Sequence, residues 1–158
     1  MTAHTITPFL WFDSQAEEAA RLYTSVFPRS RITRIARYGE GAPQPAGSVM
    51  TVGFELDGLP FTALNGGPHF TFSEAISFVV HCANQTEVDR YWDALSAGGQ
   101  PQQCGWLKDR FGVSWQIVPT AMLAMLQSDD TARAQRVTQA MLRMVKLDLT
   151  VLQKAWAG

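Results

Sequence analysis

Few residues in this chain are of a type that does chemistry, and their spacing decides little without a fold. Three histidines are present. His4 lies in the N-terminal segment, where chain ends tend to fray. His69 follows Gly66-Gly67-Pro68 in a loop near Glu74, where an imidazole serves as a base or a ligand, or else is simply solvated. His81 stands late in an apolar run beside Cys82, a place that suits a hydrogen-bonded structural role. A set of His69, His81 and Glu55 would hold a metal only if folding brought the three together. The cysteines, Cys82 and Cys104, form no CxxC and no zinc-type spacing with histidine, so two reduced thiols are expected over one disulfide.

A second group has the chemistry of a binding pocket. Trp11, Trp106 and Trp115 offer aromatic walls, and Asn65, Ser77 and Gln116 offer neutral hydrogen-bonding groups. Such a lining suits a small, partly apolar molecule. Alternation along a strand sets Trp115 and Ile117 opposite to Gln116, so Trp115 and Gln116 do not line one face. If Gln116 faces the pocket, Trp115 packs under the helices. The competing reading makes Trp106 and Trp115 ordinary core aromatics. Lys108, Asp109 and Arg110 read as a solvated turn with a weak local ion pair.

These side chains need elements to hold them. The stretch GWLKDRFGVSWQIVP, from Gly105 to Pro119, reads as strand, tight turn at Asp109 to Gly112, and a last strand ending at Pro119. Ile6 to Phe12 has the length of a strand. Ser14 begins a helix, with Glu17 completing a capping box. Ala16, Ala19, Ala20, Tyr23 and Phe27 form its apolar face, and Pro28 ends it. Strands follow over Arg31 to Tyr38, Ser48 to Leu56 and Leu59 to Asn65, the last two joined at Asp57-Gly58, where the turn wants positive φ.

The pattern then recurs. Ile76 matches Ile6, and Asn84, Gln85 and Glu87 match Ser14, Gln15 and Glu17. Val88, Tyr91, Trp92 and Leu95 form the second helix face, Gly98-Gly99 stops it, and Gln100 to Gln103 reads as a short strand. A strand–helix–strands unit present twice is stronger evidence of fold than any single propensity. Three helices close the chain, over Thr120 to Gln127, Asp129 to Val145 and Asp148 to Trp156. A stripe of Ala134, Val137, Met141 and Met144 on the second is expected to pack on the domain or on a second subunit.

Composition sets the limits. The chain has 158 residues, 46% hydrophobic and 17% charged, with a formal net charge of −1. That supports a packed core and argues against a nucleic-acid partner, which selects a basic face. Arg29, Arg31, Arg34 and Arg37 read as a solvated strand edge. No run approaches the roughly 20 apolar residues of a membrane span, and MTAHTITPFLWFDS has no secretion-signal pattern. A cytoplasmic protein is expected, without a membrane partner.

The segments TPFLWFDSQAEEAARLYTSVFP, LNGGPHFTFSEAISFVV, EVDRYWDALSAGG and CGWLKDRFGVSWQIVP resemble the vicinal-oxygen-chelate superfamily of glyoxalases, bleomycin-resistance proteins and dioxygenases. They resemble more closely its PhnB-like branch, labelled 3-demethylubiquinone-9 3-methyltransferase. The tail QSDDTARAQRVTQAMLRMVKLDLTVLQKA is similar to that branch too. The resemblance implies an α+β fold of two βαβββ modules, residues 1–70 and 71–119, whose mixed sheets curl around a cleft. Residues 120–158 are then a helical extension, and the chain a homodimer.

The superfamily's enzymes hold a divalent metal with His, Gln or Glu from the first and last strands of the modules. The matching positions here offer Thr7, Phe9 and Trp11, then Thr62, Leu64 and Asn65, then Ala75, Ser77 and Val79, with Gln116 at the usual carboxylate position. None is a histidine or a carboxylate, and divalent ions want several such donors. No glycine-rich loop follows the first strand, as a Rossmann-type methyltransferase would need. The expectation is a small-molecule-binding protein with Trp11, Asn65, Ser77, Trp106 and Gln116 in the cleft and no cofactor. The family leaves a divalent-metal lyase, isomerase or dioxygenase, and the labelled quinol methyltransferase, as alternatives.

Overall fold

The computed structural model describes residues 4–158. The chain divides into two compact units, residues 1–71 and 72–158.

The first unit runs β1 (Phe9–Phe12), α1 (Ala16–Val26), β2 (Arg31–Arg37), β3 (Val49–Leu56) and β4 (Leu59–Asn65). Its sheet has the order β1-β4-β3-β2, with β1 parallel to β4 and the other pairs antiparallel. The turn between β3 and β4 has φ of 49° at Asp57 and 79° at Gly58, as the Asp-Gly pair predicts. One face of the sheet carries Leu10, Phe12, Val52, Phe54, Leu56, Phe61 and Ala63, all buried. Ala16, Ala19, Ala20 and Tyr23 of α1 are fully buried in the same unit. Small residues on the helix let it approach closely, while Phe54 stacks on Phe61 with ring centroids 5.3 Å apart.

Two expectations for this unit fail locally. β1 begins at Phe9 rather than Ile6, which is 86% exposed. α1 begins at Ala16 behind Gln15, and no side chain at its cap accepts a hydrogen bond. Glu17 does not close a capping box; it pairs with Arg21 at 2.6 Å one turn along. The orphan donor at the helix start is met from outside the helix, because Asn65 Oδ1 accepts from Ala16 N at 2.8 Å.

The second unit runs β5 (Phe78–Cys82), α2 (Gln85–Ser96), β6 (Gln100–Pro101), β7 (Trp106–Lys108) and β8 (Ser114–Pro119), then α3 (Thr120–Leu126), α4 (Thr131–Met141) and α5 (Leu149–Ala157). Its sheet order, β5-β8-β7-β6, repeats the first: a parallel outer pair, then antiparallel neighbours. Here the helix is capped locally. Asn84 Oδ1 accepts from Glu87 N at 3.0 Å, and Glu87 Oε2 reaches back to Ala83 N at 2.7 Å. Both units therefore follow one plan, and together they make an α+β protein of two mixed sheets and five helices.

The three C-terminal helices share a core of Val118, Met122, Val137, Leu147 and Leu152, with Ala140, Met141 and Met144 packed against it. α4 stops at Met141, short of Val145, because the carbonyls of Met144 and Val145 turn to accept from Cys104 N and Gly105 N, both at 2.8 Å. A side chain at position 105 would sit 2.8 Å from Leu147, so only glycine admits this approach. Gln85 completes the join. Its amide donates to Leu147 O at 3.0 Å and accepts from Leu149 N at 2.8 Å.

Candidate functional site

The pairing register of the second sheet sorts its side chains onto two faces. Phe78 pairs with Trp115 and Val80 with Ile117; Trp115 also pairs with Leu107. Val80, Trp115, Ile117 and Leu107 are buried, on the covered face. Partners across a ladder point the same way, so the open face is laid out in rungs. Lys108 pairs with Ser114, and Trp106 pairs with Gln116, which in turn pairs with Val79. His81 pairs with Val118 one rung further, where Val118 is already buried in the core of the C-terminal helices. Trp106 and Gln116 are half-buried, and Val79 is 43% exposed.

Three of the expected site residues thus share one neighbourhood. Gln116 Nε2 donates to Ser77 Oγ at 2.9 Å, which fixes the amide across the face. The carbonyl oxygen of that amide has no donor partner among the described residues. Trp106 is the direct cross-strand neighbour of Gln116 on this face. Trp115 lies on the other face and packs against Phe78 at 5.4 Å between ring centroids.

The turn between β7 and β8 is not the solvated tip that its charges suggest. Asp109 is 3% exposed. Its carboxylate accepts from Phe111 N at 2.9 Å, Val113 N at 3.1 Å and Trp115 Nε1 at 2.8 Å. A buried carboxylate is tolerable only when hydrogen-bonded in this way, and here it sets the geometry of the turn. Lys108 is not paired within the turn. Its Nζ lies 2.7 Å from Glu74 Oε1, which also accepts from Gln102 Nε2 at 3.2 Å. The Lys108 hydrogen bond, then a backbone amide and Gln102, hold the Glu74 carboxyl down at about 2. Alternation places Lys108 and Ser114 on the same face as Trp106 and Gln116, with Ser114 buried there, a signal in the sequence that composition alone hides.

In the first unit, Trp11 and Asn65 fall on different faces. Trp11 pairs with Leu64, and Phe12, on the buried face, pairs with Asn65. The Trp11 indole donates to Gly67 O at 2.9 Å and meets Phe70 edge-on at 4.9 Å, with His69 at 6.3 Å. A Cβ at Gly66 would come within 2.3 Å of its ring, so the indole lies on the bare α-carbon. The Asn65 amide is committed to Ala16 N and, through Nδ2, to Val49 O at 3.1 Å, while its backbone carbonyl accepts from Tyr38 Oη at 2.5 Å. It borders a cavity of about 320 Å³ that Asp13, Glu17, Tyr38, Gln44 and Ser48 also line.

Among the described residues, no three His, Cys, Asp or Glu side chains lie close enough to hold a metal ion. His69, His81 and Glu55 therefore do not form a centre. The Gln116 amide, with Ser77 beside it, is a poor donor set for a hard divalent cation, which prefers carboxylates. Both cysteines are free thiols. Burial, then the Glu87 charge, push the Cys82 thiol up to about 11. No helix among the described residues is long and apolar enough to cross a membrane.

Two mixed four-stranded sheets, each with a parallel outer pair and one helix between its first two strands, define a vicinal-oxygen-chelate fold. Within it, the chain belongs to the PhnB-like family described as 3-demethylubiquinone-9 3-methyltransferase, whose model matches residues 4–118. The match ends at the end of β8, so α3, α4 and α5 lie beyond it. A PhnB protein of that family description from Bacillus cereus is 37% identical, with a TM-score of 0.67 over 73% of this chain and 99% of its own. A Pseudomonas aeruginosa protein shares the fold at 22% identity and a TM-score of 0.61, covering 74% of this chain and 98% of its own. So does the fosfomycin-resistance protein FosX of Listeria monocytogenes, at 14% identity and 0.54, covering 81% and 100%. No curated protein matches.

Proposed function

We propose that the protein binds a small, partly apolar molecule on the open face of its second sheet, without a divalent metal, and that it works as a cytoplasmic homodimer. The observation that carries this reading is the Gln116 amide. It is oriented by Ser77, belongs to the cross-strand partner of Trp106, and keeps its carbonyl oxygen for a donor on the ligand. An apolar plate with one or two fixed polar groups is the usual make-up of a small-molecule site. Exposed Ile76 in this unit, and exposed Phe9 and Phe70 in the first, supply apolar surface for a subunit contact.

Gln116→Leu tests the site, since leucine keeps the volume and removes the hydrogen bonds. The expected result is unchanged thermal unfolding with altered binding of any co-purified or screened ligand. Unchanged binding would remove Gln116 from the site. Metal analysis of protein purified without chelator tests the other half: one tightly held divalent ion per chain would overturn the metal-independent reading. Sedimentation settles the dimer. The family description, which the Bacillus cereus relative also carries, favours a second reading as a methyltransferase of a demethylated quinol. Calorimetric titration with S-adenosylmethionine decides that one, and no heat of binding would dismiss it.

A further inference from the structure

The open face has a charged end that the reading above does not use. Lys108 Nζ and Gln102 Nε2 both donate to one oxygen, Glu74 Oε1. Two donors from separate parts of the chain thus converge on a carboxylate. Glu74 itself belongs to the irregular segment between β4 and β5, and its side chain is 48% exposed. Next to this cluster, on the same rung as Lys108, is Ser114. It is 1% exposed, and its Oγ is the buried side-chain atom without a hydrogen-bond partner among the described residues. A buried hydroxyl left unpaired is costly and calls for an explanation.

We propose that Lys108, Gln102 and Ser114 form a carboxylate-binding subsite at the end of the open face, and that Glu74 occupies it as an internal stand-in until a ligand carboxylate displaces it. This deepens the proposed small-molecule reading and rests on it for the apolar part of the ligand. A half-exposed ion pair contributes little to stability, so giving up Glu74 costs little. Withdrawal of Glu74 frees Lys108 to move, and Ser114 gains the acceptor it lacks. Trp106 lies two residues from Lys108 on the same face, so the ligand class is a small organic acid with its apolar or aromatic body against the indole.

Three probes separate the parts: benzoate, its neutral isostere benzamide, and acetate, each titrated while amide, indole and glutamine side-chain NMR signals are followed. The expected result is that benzoate shifts Lys108, Ser114 and Trp106 and binds more tightly than benzamide. Glu74→Ala should tighten benzoate roughly tenfold by removing the internal competitor, leave benzamide unchanged, and Lys108→Met should abolish the preference for the acid. Equal binding of benzoate and benzamide, unaffected by Glu74→Ala, overturns the subsite and leaves the small-molecule face standing. Shifts at Lys108 and Ser114 with acetate as strong as with benzoate, and none at Trp106 or Gln116, keep the subsite and sink the apolar face. No shift with any probe, in wild type and in Glu74→Ala, overturns both.

Discussion

Asp109 holds the indole N–H of Trp115 at 2.8 Å, from the turn that leads into the strand on which Trp115 lies. One carboxylate oxygen takes two backbone amides of the turn, and the other takes the indole. The turn is thereby locked to the buried face of β8, and Gln116 is aimed at the opposite face. Asp109→Ala leaves three donors without their acceptor in a dry place. The expected loss is about 3 kcal/mol in urea unfolding, since each orphaned buried donor costs about 1–3 kcal/mol and some will find water. A loss below about 0.5 kcal/mol, the range of ordinary surface changes, would show that the carboxylate is dispensable.

Gly66 makes room for Trp11. Gly66→Ala places a methyl inside the indole ring, and the ring must leave its hydrogen bond to Gly67. Overpacking of this kind costs about 1–3 kcal/mol. The Trp11 indole N–H resonance should shift and its exchange with solvent accelerate, while the other four tryptophan signals stay in place. An unmoved Trp11 signal contradicts the contact.

Lys146 and Asp89 pair at 2.8 Å, tying the segment before α5 to α2. The Lys146 hydrogen bond, then Gln85, lower the Asp89 carboxyl, and the Asp89 bond raises the Lys146 ammonium. Asp89 therefore adds stability above its unfolded value, lost as pH falls through the lower folded one. Lys146 adds stability below its unfolded value, lost as pH rises through the higher folded one. Both side chains are over a third exposed, so the pair is worth about 0.5 kcal/mol. The stability gap between wild type and Lys146→Met should be flat from about pH 5 to 9 and close outside it. A gap that persists at pH 2 would show that the charge pair is not its source.

The two thiols should part company with an aromatic disulfide reagent at pH 8. With its thiol at about 11, Cys82 is about one-thousandth thiolate there and is fully buried. Cys104 is half-exposed at a turn with φ of 60°. One thiol should react promptly, and the second only with unfolding. Prompt reaction of both, with Cys104→Ser still reacting fast, would place Cys82 within reach of solvent.

Much of this architecture is legible in the sequence because the apolar periods are clear. The Ser48 to Leu56 and Leu59 to Asn65 strands, the Asp57-Gly58 turn between them and the Asn84 start of α2 all correspond to observed elements. What is not legible depends on contacts between distant residues. Ser14 and Glu17 look like a cap, but the acceptor at α1 comes from Asn65, and nothing local announces that. Asp109 looks exposed because it sits between two cations; its burial follows from the position of Trp115. The same limit applies to the site. Alternation alone separates Trp115 from Gln116, whereas the convergence of Lys108 and Gln102 on Glu74 needs the sheet and the preceding segment together.

The parallel outer pair of each sheet has a consequence for synthesis on the ribosome. β1 leaves the exit tunnel first in its unit, yet its partner β4 is the last strand made, and β5 waits in the same way for β8. The first strand of each unit must therefore stay unpaired until the rest of its sheet has emerged, and its pairing closes the longest loop in that sheet. Phe9 to Phe12 and Phe78 to Cys82 are apolar throughout this wait apart from His81. They are the segments on which a nascent-chain chaperone would be expected to act.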